Sequence, residues 1–280
     1  MLDIIIDSLI DTLKLLPYLF ITFILLELLE HKLSKRNERI LVKNKKFGPF
    51  IGGLLGGLPQ CGFSSMAASL YASRIITMGT IIAIFLSTSD EMLPIMLSEQ
   101  VSLLVIMKII GFKVLIGILV GIIVDLLHKD KYKKVDDHIH DMCDDEHCHC
   151  HEEGILLSSV KHTLKIGLFV LIANLLIGII IHLIGEDKLT SILLNKNILT
   201  YFMASLIGLI PNCASSVIMT ELYLSNVITI GTLLSGLLTG SGLGILLLFR
   251  NNKHMKENIT ILSIIYITGV IIGMLVDIIM

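Results

Sequence analysis

The stretch from His138 to His151 carries eight metal-binding side chains in 14 residues: His138, His140, Cys143, His147, Cys148, His149, Cys150 and His151. Imidazole and thiolate together favour borderline and soft divalent ions such as zinc, cobalt, nickel or cadmium. The spacing lacks the fixed pairs of a folded zinc module, so an adaptable chelating tract is expected. Asp136, Asp137, Asp141, Asp144, Asp145 and Glu146 interleave with it, and a plain solvated acidic linker is the competing reading. Two further groups sit in apolar surroundings. Gln60, Cys61 and Ser64 follow Pro59, and Asn212, Cys213 and Ser216 follow Pro211. Amides, thiols and hydroxyls in pairs could surround one ion; two small buried cysteines or a Cys61–Cys213 disulfide fit the same residues. Finally, Ser89, Asp90 and Glu91 interrupt an apolar run after Ser87 and Thr88. An ionised group inside a membrane span costs about 2.5–3.5 kcal/mol on insertion scales and marks an ion path by default. Solvation of both carboxylates near an interface is the plainer alternative.

These residues need a frame, and composition says which. Of 280 residues, 54% are hydrophobic and 16% charged, against roughly 45–50% and about 25% in soluble domains. The polar surface is too small to cover the chain in water, so an all-α integral membrane protein is expected. A net charge of −2 offers no basic face for phosphates, which excludes nucleic acid as a partner. Of 46 charged residues, 29 fall in four segments, 31–46, 128–153, 186–196 and 250–257. The start carries Asp3, Asp7 and Asp11 where a secretory signal would carry Lys or Arg, so it reads as the first helix of the mature protein. Abundant Ile, Leu and Lys with little Ala point to an AT-rich bacterial source.

An internal repeat organises the chain. A shift of 152 positions gives twelve identical pairs between residues 59 and 89, from Pro59/Pro211 and Cys61/Cys213 to Ser89/Ser241. Gly117/Gly269, Gly121/Gly273, Val124/Val276 and Asp125/Asp277 keep the offset. The expected organisation is a first membrane repeat at 1–128, a His/Cys/acidic linker at 129–154 and a second membrane repeat at 155–280. Each repeat holds five apolar segments: 4–29, 47–58, 62–73, 75–97 and 109–127, mirrored at 156–181, 199–210, 214–225, 227–249 and 259–279. The second and third members have 12 residues each, about 18 Å of helix against a hydrocarbon core of roughly 30 Å. Proline removes a backbone donor and disfavours helix before it. Each pair is therefore expected to be a re-entrant hairpin or one broken helix, with its break at Pro59-Gln60-Cys61 or Pro211-Asn212-Cys213.

Charge sets the orientation. Segment 31–46 holds seven Lys or Arg against one Glu, Lys129–Lys134 holds four Lys, and Arg250–Lys256 holds three cations. All three are expected on the cytoplasmic side. The repeat mates of the first and third lack that excess, so equivalent loops fall on opposite faces and the repeats are inverted. This frame puts both termini outside and places Lys108 and Lys113 at the external interface, where they would snorkel. Asp125 and Asp277 occupy equivalent helix ends, and interfacial placement accounts for both.

Inverted repeats with interrupted helices are the architecture of secondary transporters, which bind substrate near the midplane where the breaks meet. A duplication whose proline kinks serve packing alone is the alternative. No Gly-x-Ser-x-Gly or His-Glu-x-x-His motif is present, so an intramembrane enzyme is not expected. Pro59-Gln60-Cys61-Gly62-Phe63-Ser64, Ser87-Thr88-Ser89-Asp90-Glu91 with Pro94, and Pro211-Asn212-Cys213 together resemble a bacterial and archaeal family of ten-segment heavy-metal exporters. Its members are described as manganese transporters or as arsenic efflux proteins, and the resemblance covers essentially the whole chain. It implies metal export across the cytoplasmic membrane, with the lipid bilayer and the metal as partners, no permanently bound cofactor, and self-association left open. Carboxylate, amide and carbonyl oxygens suit manganese, whereas arsenite at neutral pH is an uncharged trihydroxide that needs thiols and no counter-charge. Asp90, Gln60, Asn212 and the linker histidines favour a divalent cation such as manganese or zinc, and proton-coupled or gradient-driven efflux is expected, with Asp90 or Glu91 exchanging protons for the ion. Arsenite efflux is the runner-up, and a membrane metal sensor without flux is the alternative of another class.

Overall fold

A computed structural model describes residues 47–57, 61–89, 92–127, 198–211 and 213–279, with 9–10, 12–13, 16–17, 20–21, 24, 160, 163–164, 167–168, 171–172, 175–176 and 179. Of Cys61, Gly62, Pro94, Cys213 and Ala214 only the backbone is described. The linker 129–154 and its eight candidate ligands lie outside the described residues.

Every described element is helical. The first half supplies α1 (Gly48–Gly56), α2 (Cys61–Ala72), α3 (Met78–Ser87), α4 (Met92–Ser98) and α5 (Leu103–Leu127). The second supplies α6 (Ile198–Gly208), α7 (Cys213–Leu224), α8 (Ile230–Thr239), α9 (Leu243–Asn251) and α10 (Met255–Ile279). The repeat is carried into the fold: α2 and α7, α3 and α8, and α5 and α10 begin and end 152 residues apart. Among the described residues, three stretches are long and apolar enough to cross a membrane, Leu103–Leu127, Ile230–Asn251 (α8 and α9 together) and Met255–Ile279.

The same local chemistry starts and stops both sets. Thr77 and Thr229 are the N-caps of α3 and α8, each accepting the N–H three residues on, at 3.0 and 3.2 Å. At the ends of α2 and α7, Arg74 (φ 59°) and Asn226 (φ 57°) take left-handed conformations. Ile75 N–H reaches Leu70 O and Val227 N–H reaches Leu222 O, both at 2.9 Å, which closes the helix in a Schellman turn. Asparagine tolerates this conformation cheaply; arginine does so less readily.

Glycines let the half-helices lie side by side. A Cβ on Gly48 would meet Thr80, and one on Gly56 would meet Ser87 and Ile84, so α1 runs alongside α3 in the same sense. The chain leaves α2 at Ala72 and enters α3 at Met78, so α2 ends beside the end of α3 where α1 begins. In lipid there is no hydrophobic drive between helices, and close packing of this kind supplies the association. Both buried cores draw on both halves. One joins Ala67, Tyr71 and Phe85 to Leu243, Leu247 and Ile261; the other joins Met92, Met96 and Ile106 to Ala204, Met219 and Leu233. The repeats are interlocked, α2 packing on α9 and α7 on α4.

Candidate functional site

The long apolar segments 75–97 and 227–249 are each interrupted. α3 stops at Ser87 and α4 starts at Met92; α8 stops at Thr239 and α9 starts at Leu243. The first interruption carries the Ser-Thr-Ser-Asp-Glu sequence. The second is Gly240-Ser241-Gly242, whose Gly242 has φ 51° and ψ −138°, a conformation that side chains rarely adopt. Such breaks free backbone groups that a continuous helix would pair.

The two breaks come together at Lys113. This residue is 0% exposed, and its ammonium donates to the carbonyl of Thr88 and, at 2.8 Å, to the carbonyl of Leu237. One nitrogen bonding both carbonyls places them within about 6 Å of each other. Thr88 is the C-cap of α3, and Leu237 lies in the last turn of α8. The expected snorkelling of Lys113 is thus corrected. The apolar run read from residue 109 is a helix from Leu103, which moves Lys113 from its end towards its middle. Lys108 is exposed. The repeat mate of Lys113 is Ile265, also fully buried, so the cation is present once.

Of the candidate membrane ligands, Ser64 and Ser89 are fully buried and Ser216 is half-buried. Ser64 stands in the first turn of α2 against α9: a Cβ added to Gly244 would lie 2.8 Å from the Ser64 Cβ and 2.8 Å from the Phe85 ring. Ser216 occupies the matching turn of α7. Ser89 Oγ donates to Ser87 O at 3.3 Å, and Thr88 Oγ1 to Ile84 O at 2.7 Å. Each of those hydroxyl protons is committed, so what these groups offer a ligand is an acceptor oxygen. Gln60, Asp90, Glu91 and Asn212 lie outside the described residues, as do the side chains of Cys61 and Cys213. The chain enters the Asp90-Glu91 pair from Ser89 and leaves it at Met92, both 0% exposed.

Sequence reasoning missed Ser241 as well as Lys113. Ser241 Oγ is buried and has no hydrogen-bond partner among the described residues. An unsatisfied buried hydroxyl costs about 1–3 kcal/mol, and such a group inside a helix break is available to a ligand. Its identity with Ser89 in the repeat was the signal that could have found it. No group of three or more His, Cys, Asp or Glu side chains is assembled among the described residues.

Away from the breaks, polar groups tie elements together. Asp125 accepts from Thr77 Oγ1 at 2.7 Å and Gly79 N–H at 2.8 Å. Asp277 repeats this with Thr229 Oγ1 and, at 2.9 Å, Gly231 N–H, and adds Tyr201 Oη at 2.8 Å. The halves are joined by Arg74, whose guanidinium donates to both carboxylate oxygens of Glu257 at 2.7 and 3.2 Å, with Tyr71 Oη donating at 3.0 Å. Burial opposes the Arg74 charge, and Glu257 overrides it by hydrogen bond and charge, leaving the guanidinium pKa raised.

Neither a curated protein nor a solved structure matches the chain. A family model described as "Putative, 10TM heavy-metal exporter" matches residues 1–186 and 179–280. Together the two matches run from the first residue to the last, and they agree with the multi-pass helical architecture built above; the chain belongs to this heavy-metal exporter family.

Proposed function

We propose that the protein is a secondary transporter exporting a divalent transition-metal cation, manganese or a zinc-like ion, across the cytoplasmic membrane. The observation that carries this is the meeting of two helix breaks, one from each repeat, at a buried charge. Paired breaks in corresponding positions are where transporters of inverted-repeat design hold substrate and coupling ion. In this reading Asp90 and Glu91 supply negative charge, Gln60, Asn212, Ser64, Ser89 and Ser216 supply oxygens, and Cys61 and Cys213 supply thiols. The carboxylates take up protons as the metal leaves, which makes the exchange an antiport. The tract from His138 to His151 collects ions on the cytoplasmic side. One observation favours arsenite as a second reading: the Lys113 ammonium offsets one of the two acids, and an uncharged trihydroxide needs no net charge.

The same frame makes α1–α2 and α6–α7 re-entrant hairpins opening to opposite faces, and its support is that α2 ends where α1 begins. Ile75→Cys, in the turn after α2, is then expected to react with an impermeant maleimide only from the cytoplasmic side. Asn226→Cys, in the matching turn after α7, should react only from outside. Labelling of both from one face would overturn the inversion. For the transport reading, purified protein in liposomes is expected to move Mn2+ or Zn2+ in a panel that also contains arsenite. Arsenite flux alone would establish the second reading, and metal binding to the linker without flux would establish a sensor.

A further inference from the structure

The last carbonyls of a helix lack intrahelical partners, and its C-terminus carries partial negative charge. α3 and α8 both end inside the protein and bring such termini to the same place. In transporters with broken helices, unwound carbonyls and half-helix C-termini are where coupling ions such as Na+ are held. Here the carbonyls of Thr88 and Leu237, one from each repeat, are bonded by the Lys113 ammonium. The nitrogen is fully buried, arrives on a third helix, α5, and has no counterpart in the second repeat, where Ile265 stands. We propose that Lys113 is a tethered cation in the coupling-ion position, so that no alkali ion is bound there. It joins the two repeats through one charge while α5 keeps that charge from leaving. The consequence for flux rests on the transporter reading; the occupancy of the position does not.

Two properties follow and can be separated. Wild-type flux, with Mn2+ and arsenite as probes, should be the same in sodium and in choline buffers. Lys113→Ala opens the position, so K+, Na+ or methylammonium should raise the Tm of the detergent-solubilised variant by about 3–6 °C at concentrations tenfold above the Kd. Wild type and Lys113→Arg, which keep a fixed cation, should show no such shift, and Lys113→Ile, which fills the space with the residue of the second repeat, should show none either. Methylammonium should also restore part of the flux that Lys113→Ala loses. Wild-type flux that requires sodium overturns the proposal, as does Lys113→Ala that is indifferent to every cation and transports normally. If Lys113→Ala fails to fold, the sodium test on wild type and the Tm of Lys113→Arg still decide it. If wild type moves neither probe, the transporter reading fails while the cation-dependent Tm still reports on the position.

Discussion

Asp90→Asn is expected to lower Mn2+ flux at subsaturating metal by about 100-fold or more while leaving the fold intact. Asparagine keeps the size and an acceptor oxygen of aspartate and removes only its charge. In the proposed site Asp90 and Glu91 bring two negative charges and the buried Lys113 brings one positive charge, so the neutralised variant would leave a divalent ion to bind where the fixed charges cancel. At an effective dielectric of about 20, one unit charge at roughly 4 Å is worth about 4 kcal/mol to another. Even half of that, on a doubly charged ion, exceeds a factor of 100 in affinity. The second repeat makes the position specific, since the mate of Asp90 is Gly242, which carries no side chain and uses its freedom to reach φ 51°. Arsenite, being uncharged, should be affected far less by the same change. Unaltered Mn2+ flux in a variant whose Tm matches wild type would remove Asp90 from the site. An equal loss for both solutes would point to a role in the helix break rather than in charge.

What could be read beforehand follows from which physical signals are local. The repeat fixes helix boundaries because caps are local chemistry: Thr77 and Thr229, Arg74 and Asn226 sit 152 residues apart and so do the helix ends they set. The break at Ser87-Thr88-Ser89 is legible because a polar run inside an apolar segment is a local contrast. Its partner at Gly240-Ser241-Gly242 is less so, because glycine and serine among leucines also read as close helix packing; the identity of Ser241 with Ser89 hints at it, and burial without a partner among the described residues marks it out. Lys113 escapes for a related reason. Lys108 cuts the apolar run, so the helix reads as beginning after it, whereas a lysine stem is apolar enough to continue the span. The carbonyls that satisfy its ammonium come from Thr88 and Leu237, 25 and 124 residues away. No local pattern reports such a contact.

The other large effect is expected at the aspartates that hold the half-helices in place. In Asp125→Ala the Thr77 hydroxyl and the Gly79 N–H lose their acceptor together. In Asp277→Ala the Thr229 hydroxyl, the Gly231 N–H and the Tyr201 hydroxyl do. Hydrogen bonds to a charged group contribute about 1.5–3 kcal/mol each, and at roughly 2–4 °C per kcal/mol for a chain of this size a Tm loss of about 6–24 °C is expected for Asp125→Ala. Asp277→Ala should lose more, because its third donor, Tyr201, stands where the first repeat has Pro49. The consequence reaches the breaks. Asp125 ties the first turn of α3 to the far end of α5, and the other end of α3, about 15 Å away, is the Thr88 carbonyl bonded by Lys113 on that same α5. α3 is thus clamped to α5 at both ends, and loosening one end leaves the other to hold register alone. Asp125→Ala should therefore also weaken flux, by less than Asp90→Asn, and Asp125→Asn should recover part of both losses because an amide oxygen still accepts one of the two bonds. A Tm unchanged by Asp125→Ala would mean that packing of Gly79 on Gly121 holds this corner without the carboxylate.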